Sequence, residues 1–209
     1  MENVFLIVGL GNPGAEYAQT RHNAGYSLVE KLAERWKANW RNERKFKARV
    51  ARAGMVGRAP SPSTGGTPVP RRVLLCQPQT FMNASGEAVR AVMDFYQLPL
   101  EHLLVAVDDA DLPLGELRLR ASGSSGGHHG LESVGQHLGT QTFARLRLGI
   151  GRKDGAREIT DYVLDRFAAV EAALMGKVLG RAADQVECWL GDGLEMAMQL
   201  NGNVKPLDS

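Results

Sequence analysis

Val4-Phe5-Leu6-Ile7-Val8-Gly9-Leu10-Gly11-Asn12-Pro13-Gly14 lies close to the start of the chain. Its unbroken apolar run, with no polar alternation, predicts a strand covered on both faces, and the glycine-rich residues behind it predict a turn over the strand's carboxyl end. Working outward, segments of helical and strand period alternate. Leu28, Leu32, Trp36 and Trp40 fall at intervals of four, which predicts a helix over 23–40. Phe46, Ala48 and Val50 alternate with Lys45, Lys47 and Arg49, which predicts a strand over 46–53. Residues 57–70 are rich in Gly, Pro, Ser and Thr. They are expected to form a flexible hairpin loop, not a domain linker, because a matching strand over 73–76 follows at once. Further helices are expected over 80–96, 129–138 and 168–190, and strands over 103–107, 116–120 and 145–150, with a Gly/Ser loop over 122–127. No internal repeat is visible. This alternation predicts α/β class: a single-domain, three-layer α/β/α sandwich around a twisted mixed sheet. Ligands of such sheets gather at the carboxyl ends of strands. The stretches 9–14, 78–83 and 108–111 each follow an apolar strand and are expected to share one cleft.

A chain of 209 residues suits one domain with a sizeable core. No apolar run approaches the ~20 residues of a membrane helix, and the apolar start carries no basic leader or cleavage site, so a cytoplasmic protein without membrane contact is expected. Cys76 and Cys188 form no CxxC pair and are expected to be reduced, buried thiols. The net charge of +2 does not point to a nucleic-acid partner, but its distribution is uneven. From Arg35 to Arg72 there are eleven Lys/Arg residues and one acid, Glu43. Such a stretch reads either as a phosphate-attracting face or as an ordinary solvated surface.

Three motifs suggest chemistry that the surrounding sequence does not support. Gly9–Gly14 fits G-x-G-x-x-G, the dinucleotide fingerprint of a nicotinamide-dependent reductase. The expected acid at the end of the second predicted strand is missing, and the first helix is predicted to begin about nine residues too late. Gly123-Ser124-Ser125-Gly126-Gly127 fits G-x-S-x-G, but no histidine follows His137 to complete a triad. The adjacent pair His128-His129 points its side chains in different directions and lacks an HExxH or cysteine partner, so no metal is expected.

What remains is a set of polar groups at strand ends: Asn12, His22-Asn23, Met82-Asn83 and Asp108. One histidine, one carboxylate and nearby amides, with no well-placed Ser or Cys, suit activation of water. The acid fixes the imidazole tautomer through one ring nitrogen, the other nitrogen takes a proton, and amides support the developing oxyanion. A histidine beside a helix start also reads as a cap or a surface residue.

Ile7-Val8-Gly9-Leu10-Gly11-Asn12-Pro13-Gly14-Ala15-Glu16-Tyr17, Thr20-Arg21-His22-Asn23-Ala24-Gly25, Pro78-Gln79-Thr80-Phe81-Met82-Asn83-Ala84-Ser85-Gly86 and Asp108-Asp109-Ala110-Asp111-Leu112-Pro113 resemble the bacterial peptidyl-tRNA hydrolase family. So do Ser125-Gly126-Gly127-His128-His129-Gly130-Leu131 and Arg145-Leu146-Arg147-Leu148-Gly149-Ile150-Gly151. These blocks stand in family order over most of the chain. The resemblance implies hydrolysis of the ester joining a peptide to the tRNA 3′ ribose, with peptidyl-tRNA as partner, no cofactor and a monomeric enzyme. It implies that His22 is the base, that Asp108 holds its basic tautomer, and that Asn12 contacts the peptide backbone and favours a blocked amino acid. It further implies that Asn83 positions water or substrate, that Tyr17 and Phe81 line the site, and that Arg120 and Arg147 grip the tRNA 5′ phosphate. The family commonly carries Asn where this chain has His129, which weakens the implied substrate contact there. A non-enzymatic RNA-binding relative of the same fold is the alternative.

Overall fold

The computed structural model describes residues 3–58, 68–151 and 159–200. Among these residues seven strands form one mixed sheet: β1 (Val4–Gly9), β2 (Trp40–Glu43), β3 (Ala48–Arg58), β4 (Pro68–Pro78), β5 (Leu103–Asp109), β6 (Leu117–Arg120) and β7 (Ala144–Gly149), in the order β2-β3-β4-β1-β5-β7-β6. The four central strands β4, β1, β5 and β7 run parallel, and antiparallel pairs β2–β3 and β7–β6 close the two edges, with β3 antiparallel to β4. Every residue of β1 and of β5 is buried, as expected of parallel strands covered on both faces.

Among the described residues six α-helices flank the sheet: α1 (Ala24–Arg35), α2 (Ser85–Tyr96), α3 (His129–Leu138), α4 (Ile159–Leu164), α5 (Ala169–Asp192) and α6 (Leu194–Gln199). On one face, Leu28 and Leu32 of α1 and Val178, Val186 and Trp189 of α5 pack against Ile7, Leu75, Leu104 and Leu146. On the other, Val89 and Val92 of α2 and Leu131 and Val134 of α3 pack against Leu6, Val8, Leu74, Val105 and Val107. Each fully buried aliphatic side chain contributes about 1.5–3 kcal/mol of transfer free energy, so these two apolar layers hold the three-layer sandwich predicted from the sequence.

Several boundaries differ from the sequence reading. The helix predicted over 23–40 ends at Arg35. Lys37 adopts a left-handed φ of 53°, which no helix continues, and Trp40 opens the edge strand β2. The strand predicted over 46–53 begins at Ala48 and runs to Arg58, while Phe46 lies in a short 3-10 turn. Strands β3 and β4 pair from Ala48↔Pro78 to Arg58↔Pro68, as the expected hairpin requires. Most of its predicted loop, 59–67, lies outside the described residues. Helices α4 and α6 were not foreseen. No described helix is long and apolar enough to cross a membrane.

Candidate active site

The glycines after β1 serve packing. A Cβ on Gly9 would lie 2.2 Å from the Gly25 carbonyl oxygen, and one on Gly25 would lie 2.4 Å from that of Ala106. The start of α1 therefore rests directly on β1 and β5, closer than any side chain permits. This geometry differs from that of a dinucleotide fold, because the helix starts beyond a long loop and a 3-10 turn (Arg21–Asn23), not inside the glycine loop.

That 3-10 turn carries His22, and both neighbours of His22 are anchored. The buried Arg21 pairs with Glu171 at 2.7 Å and stacks on Tyr162 and Phe167, tying the turn to α4 and α5. Asn23 interlocks with Asn12: the Asn12 N–H donates to Asn23 Oδ1 at 2.8 Å, and Asn23 Nδ2 donates back to the Asn12 carbonyl at 3.0 Å. The Asn12 side chain is oriented in turn, because its Oδ1 accepts the Met82 N–H at 2.8 Å. Its Nδ2 is thereby directed away from that bond, and Asn12 lines the cleft.

His22 Nδ1–H donates to both oxygens of Asp108, at 2.9 and 3.1 Å. Asp108 is the penultimate residue of β5, the strand next to β1, and only 3 % of its side chain is exposed. A second imidazole reaches the same carboxylate, His128 Nε2 to Asp108 Oδ1 at 3.0 Å. Burial by itself pushes the Asp108 carboxyl up, but His128 and His22 outweigh it and hold the group well below the usual carboxylate range. With Nδ1 committed to the carboxylate, His22 Nε2 keeps its lone pair and can accept a proton.

His22, Asp108 and His128 are the one set of potential metal ligands among the described residues. They do not suit an ion. His128 Nδ1 accepts the backbone N–H groups of Gly130 and Leu131, so its proton must sit on Nε2, the atom a metal would need.

A cavity of about 210 Å³ opens over this cluster, walled by Asp109, Asp111, Gly126, His129, Arg147 and the apolar side of α4. A wider groove of about 840 Å³ meets it at Asn12 and runs past Tyr26, Glu30 and Gln79. The Gly/Ser loop along the cavity is pinned through its carbonyls. Arg147 donates to Ser124 O at 2.8 Å and Ser125 O at 3.1 Å while pairing with Asp109 at 3.0 Å. Arg145, buried beneath, donates to Gly123 O and Ser124 O; burial, then the neighbouring Arg147, pushes its guanidinium down to about 10. Ser125 Oγ accepts only the Gly127 N–H among the described residues, so the G-x-S-x-G match is structural.

The fold thus brings His22, Asp108, Asn12, His129 and Arg147 to one cavity. Asn83 and Phe81 sit exposed on the turn beside Met82, and neither lines that cavity. Tyr17 is half-buried, and its carbonyl accepts the Thr20 hydroxyl at 2.9 Å. Arg120 is exposed at the end of β6 and donates to the carbonyl of Leu119. His129 is exposed and lies 3.5 Å from Glu132. The basic stretch is partly neutralised: Arg35 pairs with Asp184 and Glu187, Lys47 with Glu87, Arg49 with Glu30 and Arg52 with Glu43. Sequence reasoning missed the contact of His128 with Asp108. The available signal was a polar residue directly ahead of an apolar helical run, the pattern of an N-cap.

The family model described as peptidyl-tRNA hydrolase matches residues 6–206. This chain belongs to the peptidyl-tRNA hydrolase family. A peptidyl-tRNA hydrolase of Synechococcus sp. (strain JA-3-3Ab) is 47 % identical over 203 residues, covering 97 % of this chain and 83 % of the relative. That of Geobacillus kaustophilus (strain HTA426) is 46 % identical over 182 residues, covering 87 % and 90 %. The crystal structure of an arginine-to-glutamine mutant of peptidyl-tRNA hydrolase from Acinetobacter baumannii superposes with a TM-score of 0.81 at 36 % identity, covering 97 % of this chain and 98 % of that one. The resemblance read from the sequence motifs and the three-layer fold therefore agree with these hydrolases along nearly the whole chain.

Proposed function

We propose that this member of the peptidyl-tRNA hydrolase family cleaves the ester between a peptide, or an N-blocked amino acid, and the 3′ ribose of tRNA by direct attack of water. The carrying observation is the His22–Asp108 pair, with Nδ1 bound to a buried carboxylate. His22 Nε2 takes a proton from water as the water oxygen bonds to the ester carbonyl carbon. Asp108 stabilises the imidazolium that results. The tetrahedral oxyanion collapses with loss of the ribose 3′-oxygen, which recovers the proton from His22. No covalent enzyme intermediate, metal or organic cofactor is invoked. A positioned base of this kind contributes about 10²–10⁴ in rate.

The remaining roles rest on placement. Asn12 Nδ2 is free to meet the first peptide carbonyl, which favours a blocked amino acid over a free one. Asn83, Phe81 and Tyr17, at the same end of the sheet, contact the acceptor end or the peptide, and His129 offers a further hydrogen bond at the cavity mouth. Arg120 and Arg147 attract the tRNA phosphates without reading sequence. For Arg147 this means exchanging carbonyl partners for phosphate. The reading includes a single-domain monomer acting in the cytoplasm to return tRNA to translation after stalled synthesis.

Incubation with an N-acetyl-aminoacyl-tRNA beside its unblocked counterpart tests this. Release of tRNA from the blocked substrate alone, abolished by His22→Ala with the fold intact, is the expected result. Near-normal turnover by His22→Ala would remove the base assignment. Binding of tRNA without cleavage by the unsubstituted protein would favour the non-enzymatic relative.

A further inference from the structure

The cluster is nearly symmetric, with two imidazoles on one carboxylate and ring centroids 5.1 Å apart. Their surroundings break that symmetry. His128 is the N-cap of α3, and its Nδ1 accepts from Gly130 N at 3.1 Å and Leu131 N at 3.3 Å. Two donors on Nδ1 leave it no proton, so Nε2 carries the hydrogen and must donate to Asp108 Oδ1. From this we infer that His128 is a positioning residue for the hydrolysis: α3 locks it in the Nε2–H tautomer, and it fixes the rotation of Asp108 so that His22 alone serves as base.

The physical need for such a residue is plain. The last torsion of an aspartate is soft and roughly two-fold, so a single partner does not fix the carboxylate plane. His22 Nδ1 lies between the two oxygens, at 2.9 and 3.1 Å, a geometry that survives only if the plane is held. His128 holds it through Oδ1, at 3.0 Å. Asp108 takes no further hydrogen bond among the described residues, so loss of His128 leaves a buried carboxylate with one donor and a mobile plane. His128 cannot itself act as base, because its one lone pair points into the first turn of α3. The ionisable groups facing the cluster are His22, Asp108, Asp109, Asp111, His129 and Arg147. None of them contacts His128 Nδ1 among the described residues.

The inference rests on His22 being the base, and two substitutions separate the two tasks of His128. In His128→Asn the amide oxygen still caps α3, but the shorter side chain cannot reach Asp108. In His128→Gln the amide nitrogen takes the place of Nε2, but the cap is lost. With N-blocked aminoacyl-tRNA, His128→Asn is expected to lose about 10-fold in kcat at little-changed KM, and to melt lower because the buried Asp108 carboxylate loses a donor. His128→Gln is expected to melt lower yet keep kcat within about threefold. Nitrogen-15 NMR of the unsubstituted protein should show His128 protonated at Nε2 and bare at Nδ1. A His128→Asn enzyme with unchanged kcat, or a His128 ring protonated at Nδ1, would overturn the inference. His22→Ala separates the failures: if it is inactive while His128→Asn is normal, only the His128 role falls, and if it is active, the base assignment falls first.

Discussion

Replacing Asp108 by Asn tests the arrangement most sharply, because the outcome follows from counting protons. The carboxylate accepts from His22 Nδ1–H and His128 Nε2–H. Asparagine offers one acceptor oxygen and one NH₂ donor in the same volume. His128 cannot change tautomer while Gly130 and Leu131 donate to its Nδ1, so it claims the amide oxygen. The NH₂ then stands where Oδ2 was, 3.1 Å from His22 Nδ1, and its hydrogens oppose the Nδ1–H, which drives the His22 proton toward Nε2, the atom that has to be bare. The base is lost through the wrong tautomer, and the negative charge that would stabilise the imidazolium goes with it. A positioned base supplies about 10²–10⁴ in rate, and converting the aspartate of a hydrolase triad to asparagine costs about 10⁴. The expected loss in kcat is therefore near the upper end, about 4–5.5 kcal/mol of barrier, with KM little altered because Asp108 lies beneath the imidazole. Single-turnover cleavage of N-acetyl-aminoacyl-tRNA measures it. The same substitution should change acid unfolding. A carboxyl held below its usual range stabilises the fold above the ordinary value of about 3.9 and loses that contribution as pH falls through its lower folded value. Asp108→Asn should therefore flatten the acid limb of the stability curve. A fall in kcat of less than about threefold would refute the tautomer argument.

Other expectations follow from the same contacts. Asn12→Ala leaves the buried Met82 N–H without its acceptor and should cost about 1–3 kcal/mol in urea unfolding, with preference for blocked substrate reduced in the cleavage assay. Arg147→Met releases the loop carbonyls of Ser124 and Ser125, so hydrogen exchange at the Gly126 and Gly127 amides should rise about 10- to 100-fold; unchanged exchange would show that Arg145 alone holds the loop. Added salt should weaken tRNA binding, read as a negative slope of log affinity against log salt, and a flat response would remove the phosphate contacts.

Much of the fold was legible because the central strands are apolar on both faces. The apolar runs read as strands over 4–8 and 103–107 are the cores of Val4–Gly9 and Leu103–Asp109, and α3 spans the predicted 129–138. The misreading at 36–40 has a specific cause. Trp36 and Trp40 keep the helical interval of four and both pack on the same apolar layer, but from two different elements. The short helices α4 and α6 have too few residues to display a period. At the site, Asp108 was legible because it closes an apolar run, whereas His22, on a 3-10 turn beyond a long loop, stood out through the motif around it. The hold of His128 on the carboxylate was not, since a histidine ahead of a helix has the same spelling whether it caps the helix, clamps an acid or does both. Arg147 on an alternating strand likewise gave no sign that its guanidinium ties down a loop.

The contact of Gly9 with Gly25 carries a consequence for anyone engineering heat resistance into this scaffold. Swapping a helical glycine for alanine is the usual first remedy, since it lowers the entropy of the unfolded chain. At position 25 the added methyl would meet the main chain of β5, whose atoms cannot swing aside as a flexible side chain can. The helix would have to lift, carrying the preceding turn and its imidazole away from the carboxylate below. The reach of the proton-accepting group is thus set by a place where two side chains are missing, and alanine there would lower heat resistance and turnover together.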